Sequence, residues 1–524
     1  MKTKLLQTAS IITRRNISTS ITISICYHAF LLIYVVLFSS ADKNYLFFNV
    51  GFLLFTLTDI VLWIICLIPL VAILRRELEW HDAYALAAMF SFICVAVAYL
   101  GYVIDPTYVL HRIFFFFPEL NTISYEILIM RLAESEVFFI IFLSILLFTN
   151  HRAPRASRPP VLIRLQSVPI LITGVIVLSL GMYGFMVSYE PAYYFHSVLL
   201  QMGDISWKSP EIGQARFRML VNIAVLFFPL FWVVLVRKFL HAKILTDIIK
   251  YISILVIGIA IIPNLIYGAR ASIIVTVIFG LILINRYIFV IRSKHFVFGF
   301  IIMATLIYSV TVLRGNRLVF GSPKEVFYKV ITRKIPIPRK YKIDVFFDFD
   351  RIVTVASIIQ HVDQTGDMIS GKSLISGPIK ITQDILQRSG FGNYSERNIW
   401  WSASEFIKYW RFGTLNVTFG TPPSLPAEFY LQFGFLSLFI LSYFYGKVLY
   451  LLRKMIIGST SSIIHFALVA IAVNQLLIIA ADISYIFGVL FYQILPILII
   501  YGSVMIFYRK KRNIRKYPKC EKKY

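Results

Sequence analysis

The sequence predicts an all-α integral membrane protein that crosses a bilayer about twelve times and carries one large extracytoplasmic loop. Hydrophobic residues make up 58% of the 524 residues and charged residues 15%, against about 45–50% and 25% in soluble domains. Apolar runs of about 20 residues recur along the chain, and a helix of that length crosses a hydrocarbon core about 30 Å thick. The runs lack the strict alternation of a transmembrane barrel strand, so helices are predicted.

Short polar loops separate most of these runs, but a loop of about 110 residues precedes the tenth. The chain therefore divides into a first group of nine helices at 1–313, the large loop at 314–425, a second group of three at 426–507 and a basic tail at 508–524. The predicted spans are 20–40, 47–74, 83–104, 128–149, 168–188, 217–236, 248–267, 271–291, 296–313, 426–450, 462–481 and 484–507.

The distribution of lysine and arginine predicts which side each loop occupies, because short cytoplasmic loops carry an excess of both. Basic residues recur at the N-terminus, in every second loop and in the tail, as at Arg14, Arg75, Arg152 and Arg453. All of them fall on one side if both termini are cytoplasmic, which places the large loop outside. The net charge of +26 then mainly reflects this topology. The cytoplasmic basic clusters would also contact anionic lipid head groups. Nucleic-acid binding is disfavoured because the basic clusters are short and lie beside spans.

The large loop is rich in aromatic and charged residues, and its stretches 324–335 and 351–363 have the pattern of short amphipathic helices. Aromatic rings stack on the apolar faces of sugars and charged groups bind their hydroxyls, so Arg351, His361, Trp400 and Trp401 are candidate substrate-binding residues. The same aromatic residues are equally typical of a membrane interface. Candidates for a general base are Asp344, Asp348, Asp350, His361, Asp363 and Glu428.

Several arginines are predicted at the outer ends of spans. Arg270 follows a tight turn between spans seven and eight, Arg314 and Arg317 end span nine, and Arg216 and Arg218 begin span six. A guanidinium offers a fork of donors that suits phosphate oxygens, so the set predicts binding of a lipid-linked pyrophosphate. Any one of these arginines is as readily an anchor at the interface, but the charge rule disfavours so many on the outer side.

No cofactor and no metal is expected. The cysteines lie outside the large loop, no pair of candidate ligands has metal-binding spacing, and the chain has neither a Walker A motif nor a Rossmann glycine pattern. The sequence therefore gives no sign of nucleotide binding or hydrolysis.

The stretch at 420–434 carries a Pro-rich turn, Glu428 with Tyr430, and Phe433 before Gly434. Together with Gly268-Ala269-Arg270, it resembles the bacterial oligosaccharide repeat-unit polymerases, the Wzy type of O-antigen or capsule polymerase. The resemblance covers the whole architecture, with about a dozen spans, cytoplasmic termini and a late outer loop. The O-antigen ligases share this architecture.

The resemblance implies a polymerase of the bacterial inner membrane, related to the GT-C-like membrane glycosyltransferases. It would transfer the growing chain from undecaprenyl pyrophosphate to the next lipid-linked repeat unit, with no nucleotide or metal. A chain-length-determinant co-polymerase is the implied partner. In this interpretation Arg270, Arg314 and Arg317 stabilise the departing pyrophosphate. Glu428 acts as a base or holds Tyr430 or an arginine in place, and Gly434 lets span ten pack closely.

Other functions remain open from the sequence. A flippase or transporter of lipid-linked oligosaccharide would also need many spans and basic residues. An O-antigen ligase shares the architecture, and a structural partner in an export assembly is a further alternative. A transporter usually lines its cavity with charge, whereas these spans hold few acidic residues, Asp59 among them. The large loop would also be unexplained, so the enzyme is favoured.

Overall fold

The protein is a polytopic membrane protein, and the part of the chain that the structure describes is built almost entirely from helices. Seven helices among the described residues are long and apolar enough to cross a membrane, and the only strands described are a short antiparallel pair, β1 and β2. The structure, a computed structural model, describes residues 8–38, 44–75, 77–79, 82–104, 106, 109–110, 113, 120, 123–154, 167–188, 212–239, 252–253, 255–258, 260, 270–288, 351–388, 402–412, 423–459, 461–480 and 483–516.

The chain forms two compact units, and the first comprises Met1–Pro159, Phe320–Met455 and Asn474–Phe487. This unit contains the described segments of the large loop, and most of the candidate site lies in it. In chain order the elements of this part are β1 (Thr8–Ser10), α1 (Arg14–Phe38), α2 (Asn44–Phe47), α3 (Val50–Leu74), α4 (Ala83–Ile104), α5 (Tyr125–Asn150), β2 (Arg152–Pro154), α9 (Ile352–Thr365), α10 (Lys372–Arg388), α11 (Ala403–Phe412), α12 (Leu425–Phe433), α13 (Phe435–Gly458) and α15 (Ser484–Val489).

The second unit comprises Pro160–Val319, Ile456–Val473 and Gly488–Tyr524. Two glycines of α6 face α7, where an added Cβ at Gly174 would meet Phe231 at 2.2 Å and one at Gly181 would meet Ala224 at 2.1 Å. Glycine therefore permits the close approach of these two helices, as small residues do in membranes. Its elements are α6 (Ser167–Ser188), α7 (Ile212–Phe239), α8 (Arg270–Tyr287), a five-residue π-helix at Leu490–Ile494 and α16 (Leu495–Lys516), while α14 (Ser462–Ala480) belongs partly to each unit.

The hydropathy pattern places most spans well. The predicted span 47–74 corresponds to α3, 83–104 to α4, 128–149 to α5 and 168–188 to α6. Polar N-cap side chains fix where some of these helices begin. Asn49 accepts from the Phe52 amide at 2.7 Å at the start of α3, and Ser124 accepts from the Ile127 amide at 3.4 Å at the start of α5. The predicted span 296–313 and the amphipathic stretch 324–335 lie outside the described residues, and the total of about twelve spans stays a prediction.

Segments that the charge rule assigns to one side meet at one end of the first unit. Strand β1 pairs with β2, which joins the N-terminal segment to the chain just after α5. Arg75 donates to Asn16 Oδ1 at 2.8 Å and to Thr19 Oγ1 at 2.7 Å. Arg453 binds Asp82 and the carbonyl oxygen of Arg152. We call this the basic end of the unit.

The large-loop segment α9 lies against the other end of α5. The predicted amphipathic helix at 351–363 is confirmed, since α9 begins at Ile352 and is buried along most of its length. It packs against α5 and α12, and its contact with α5 is centred on Arg131. Arg131 precedes Asn150, the last residue of α5, by 19 positions, or about 28 Å of helix. The loop helix therefore sits far from the basic end.

The predicted tenth span, 426–450, is wrong at its start, because the chain breaks at Gly434. Helix α12 ends at Phe433, and α13 begins at Phe435. Gly434 has φ 74° and ψ −152°, a region that is almost exclusive to glycine. A Cβ there would meet only Met368 at 3.8 Å. Gly434 is therefore needed for its backbone conformation, and the expected close-packing role is not what the structure shows.

Replacing Gly434 with alanine is expected to destabilise the fold by about 1–3 kcal/mol, because a Cβ strains this backbone conformation. Thermal unfolding of the purified protein in detergent measures the change. Gly502→Ala is the matched control, since Gly502 lies within α16 and a Cβ there meets nothing within 4 Å; it is expected to be neutral or stabilising by up to about 1 kcal/mol. Equal effects of the two variants would contradict the assigned role of Gly434.

Candidate functional site

A network of polar side chains joins α9 to the membrane helix α5. Arg131 of α5 lies 2.5 Å from Asp363 Oδ2 and donates to Glu134 Oε2 at 2.7 Å, and its Nε donates to Gln360 Oε1 at 3.1 Å. Arg131 is 19% exposed, whereas Asp363 is 43% exposed. The guanidinium is thus fixed by three partners, while the carboxylate of Asp363 keeps access to solvent.

An aromatic cluster on α9 and α11 lies within the same loop. The ring centroids of His361 and Trp410 are 3.6 Å apart, with an interplanar angle of 35°, and Phe406 lies 6.5 Å from His361. His361 Nε2 is 3.6 Å from Asp367 Oδ2. The imidazole therefore packs against the indole ring, and its Nε2 lies near the Asp367 carboxylate but beyond hydrogen-bonding distance. Both rings belong to segments that hydropathy excludes from the spans.

Tyr430 borders the Arg131 network from α12. Its ring lies 4.7 Å from Phe138 and 5.5 Å from Phe435. Burial raises the pKa of the Tyr430 hydroxyl above its ordinary value, and the negative charge of Asp363 raises it further. The hydroxyl therefore stays protonated at neutral pH and is able to donate a hydrogen bond.

Glu428 is itself fully buried and belongs to a hydrogen-bond network that joins three segments. Ser373 Oγ donates to Glu428 Oε1 at 2.7 Å, and the Ile483 amide donates to Oε2 at 2.7 Å. Gln432, one turn later, donates to Ser373 Oγ at 2.6 Å and accepts from the Gly371 amide at 2.9 Å. The motif residue thus connects α12 with the start of α10 and with the residue just before α15. These contacts show that Glu428 holds three segments of the first unit together.

The residue that precedes α12 is strained. Ser424 has φ 72° and ψ 151°, a conformation that costs a non-glycine residue on the order of 1–3 kcal/mol. It is fully buried, and its hydroxyl has no hydrogen-bond partner among the residues that the structure describes. Its carbonyl oxygen accepts from the Glu428 amide at 3.0 Å. Both ends of α12, at Ser424 and Gly434, therefore have unusual backbone conformations.

Glu428→Gln is expected to destabilise the protein by about 1–3 kcal/mol, because the amide replaces one acceptor oxygen with a donor that faces the Ser373 hydroxyl or the Ile483 amide. Chemical unfolding in detergent measures the loss. Glu126→Gln, at an exposed residue in the first turn of α5, is the control and removes only its attraction to the helix dipole. Full stability of Glu428→Gln would show that the two hydrogen bonds contribute nothing.

The predicted site residues are only partly described. Arg351, His361, Glu428 and Tyr430 lie in the first unit, with Arg351 immediately before α9. Arg216 and Arg218 lie in α7, and Arg270 is the first residue of α8, but only their backbones are described. Arg314, Arg317, Asp350, Trp400 and Trp401 lie outside the described residues.

Sequence reasoning missed Arg131 and Gln360 as site residues, whereas it placed Trp410 among the aromatic residues of a candidate sugar-binding surface. Arg131 carried a signal, because it lies with Glu134 and Glu136 near the start of an otherwise apolar run. Ionisable residues in such runs are rare and are often functional. Gln360 gave no comparable signal, since its partner becomes apparent only when α9 packs on α5.

Comparisons of the chain with protein-family models, with curated proteins and with solved structures found no match.

Proposed function

We propose that the protein polymerises oligosaccharide repeat units carried on undecaprenyl pyrophosphate, transferring the growing chain to the next lipid-linked unit. The observation that carries the proposal is the seating of large-loop helix α9 on α5 through Arg131, Gln360 and Asp363. A loop held in this way offers fixed polar and aromatic groups beside the membrane helices. That is what an enzyme acting on a lipid-linked sugar needs.

The groups around α9 suit recognition of a sugar acceptor. Asp363 and His361 are candidate acceptors of a hydroxyl proton, and Trp410 and Tyr430 supply aromatic surface and a phenolic donor. Arg131 balances the charge of Asp363. In this proposal the acceptor unit binds at α9. Arg270, Arg314 and Arg317 remain the proposed ligands of the donor's pyrophosphate.

The proposed topology has about twelve spans, a GT-C-like arrangement and both termini in the cytoplasm of a bacterium, with the protein in the inner membrane. The meeting of basic segments at one end of the first unit, opposite α9, supports it. The reaction would occur on the periplasmic face. A chain-length-determinant co-polymerase is the proposed protein partner, and the product would be an O-antigen, a capsule or a related polysaccharide.

The test is incubation of the purified protein with its lipid-pyrophosphate-linked repeat unit, without nucleotide or added metal. A ladder of products on a gel is the expected result. Transfer of preformed polymer to a supplied lipid A core acceptor, without a ladder, would identify an O-antigen ligase. Movement of the substrate across a vesicle membrane without any product would identify a flippase. If folded protein with verified substrate gives no ladder, no transfer to lipid A core and no movement across the membrane, only a structural role would remain.

A further inference from the structure

Three helices of the second unit pack together near one of their ends. The ring centroid of Phe466 in α14 lies 5.4 Å from that of Phe227 in α7 and 5.3 Å from that of Phe279 in α8. Helix α14 begins four residues before Phe466, and α8 ends eight residues after Phe279. The charge rule assigns both of these ends, and the end of α7, to the cytoplasmic side. The start of α14 therefore lies beside the end of α8.

The start of α14 holds a polar side chain that is buried without a hydrogen-bond partner. Ser462, its first residue, is 1% exposed, and its hydroxyl has no partner among the residues that the structure describes. The first amides of a helix lack carbonyl partners within that helix, and the helix dipole makes this end positive. Helix starts with these properties bind phosphate and carboxylate groups. A specific site requires further groups that converge on the same place.

Tyr287, the last residue of α8, supplies such a group. Its ring makes an edge contact with His465 in the first turn of α14, with the centroids 5.9 Å apart and the planes at 87°. Tyr287 is 5% exposed, and its hydroxyl also lacks a hydrogen-bond partner within the described part of the chain. A buried phenol normally has such a partner. Two hydroxyls from different helices are thus buried at the same helix start, which indicates a ligand that accepts from both.

The charge and the exposed surface of this region favour an anionic lipid. Neither aspartate nor glutamate occurs among the described residues of the second unit. Arg237, in the last turn of α7, is exposed and lies ten residues after Phe227, or about 15 Å along the helix. It therefore carries positive charge at the end of the helices where α14 begins. Ile464, in the first turn of α14, is 52% exposed, so an apolar surface suited to an acyl chain lies within the same turn as Ser462.

We propose that the start of α14, together with Tyr287 of α8, binds the phosphate of an anionic phospholipid, which in the proposed topology belongs to the cytoplasmic leaflet. The Ser462 and Tyr287 hydroxyls and the first amides of α14 donate to the phosphate oxygens, and Arg237 adds positive charge. The contact of Tyr287 with His465, whose Nδ1 is 3.0 Å from Ser459 Oγ, fixes the position of the phenol. The inference is independent of the proposed glycosyl transfer.

Native mass spectrometry of the delipidated protein in detergent tests this proposal, with dioleoyl phosphatidylglycerol as the anionic lipid and dioleoyl phosphatidylcholine as the zwitterionic one. Salt is present to screen weaker contacts with the basic tail at 508–524. The wild type is expected to retain phosphatidylglycerol in preference. Tyr287→Phe and Ser462→Ala are each expected to raise its apparent Kd about tenfold, through loss of one hydrogen bond to a charged group. Tyr508→Phe and Ser503→Ala, at exposed hydroxyls of α16, are the controls and leave the Kd unchanged.

Equal retention of the two lipids by the wild type would overturn the proposal. So would wild-type affinity in both hydroxyl variants, or complete displacement of the lipid by inorganic phosphate, since the site would then take a free anion. If the variants fail to fold, a phosphatidylglycerol with a photoreactive head group is cross-linked to the wild type instead. The labelled peptides are expected to hold the start of α14 or the end of α8, and labelling confined to other segments would contradict the site.

Discussion

Replacing Arg270 with alanine is expected to lower the rate of polymer formation by about 10²–10³-fold, the usual loss when one fixed donor to a developing charge is removed. Departure of the lipid pyrophosphate leaves negative charge on its oxygens, and a guanidinium is suited to bind them. Helix α8 begins at Arg270, so the free amides of its first turn and the positive end of its dipole lie at the same place. The substituted protein should remain inserted and abundant.

The ladder assay measures this rate with equal amounts of each protein. Arg286→Ala is the matched control, because Arg286 lies in the last turn of the same helix. It is 16 residues later, or about 24 Å along the axis, and is expected to keep the wild-type rate. Ladders of wild-type length and rate from Arg270→Ala would show that Arg270 does not bind the leaving group.

Replacing Arg453 with alanine is expected to destabilise the protein by about 3–5 kcal/mol, because it leaves a buried carboxylate without its cation. Arg453 is 3% exposed and Asp82 is 9% exposed. Its Nε lies 2.5 Å from Asp82 Oδ2, and its Nη2 donates to Oδ1 at 2.7 Å. The same guanidinium donates to the carbonyl oxygen of Arg152 at 3.3 Å. The variant removes all of these contacts at once.

Thermal unfolding in detergent and the amount of protein recovered from membranes measure this effect. Lys454→Ala is the control, because Lys454 is the adjacent basic residue and is exposed. It also lowers the local positive charge by one, so a purely topological effect would appear in both variants. A stable Arg453→Ala protein would mean that Asp82 finds another partner or becomes neutral at little cost.

Hydropathy was sufficient to place helices such as α3, α4 and α5, because the bilayer imposes both their length and their composition. The amphipathic pattern likewise predicted α9. The break at Gly434 was missed, because apolar residues continue across it and hydropathy does not report backbone conformation. The sequence does carry a signal, since Glu428 and Gln432 place two polar groups one turn apart within the predicted span.

The candidate site was less accessible from sequence, because its contacts join residues that are far apart in the chain. Glu428 was identified from a motif, but its partners, Ser373 and the amide of Ile483, are set by the packing of three segments. His28 gave no signal by itself, and Asp59 was noted only as an isolated acid. The 2.8 Å contact between His28 Nε2 and Asp59 Oδ2 becomes apparent only when α1 packs on α3.

The pairing of Arg453 with Asp82 constrains how the protein is made. The two residues are 371 positions apart in the chain. At a synthesis rate of about 5–20 residues per second, Arg453 is therefore made roughly 20 to 75 seconds after Asp82. During that interval α4 already follows Asp82, whose side chain accepts from the Tyr84 amide at 2.9 Å. A nascent chain that stalls before Arg453 therefore lacks the cation that pairs with the Asp82 carboxylate in the folded protein.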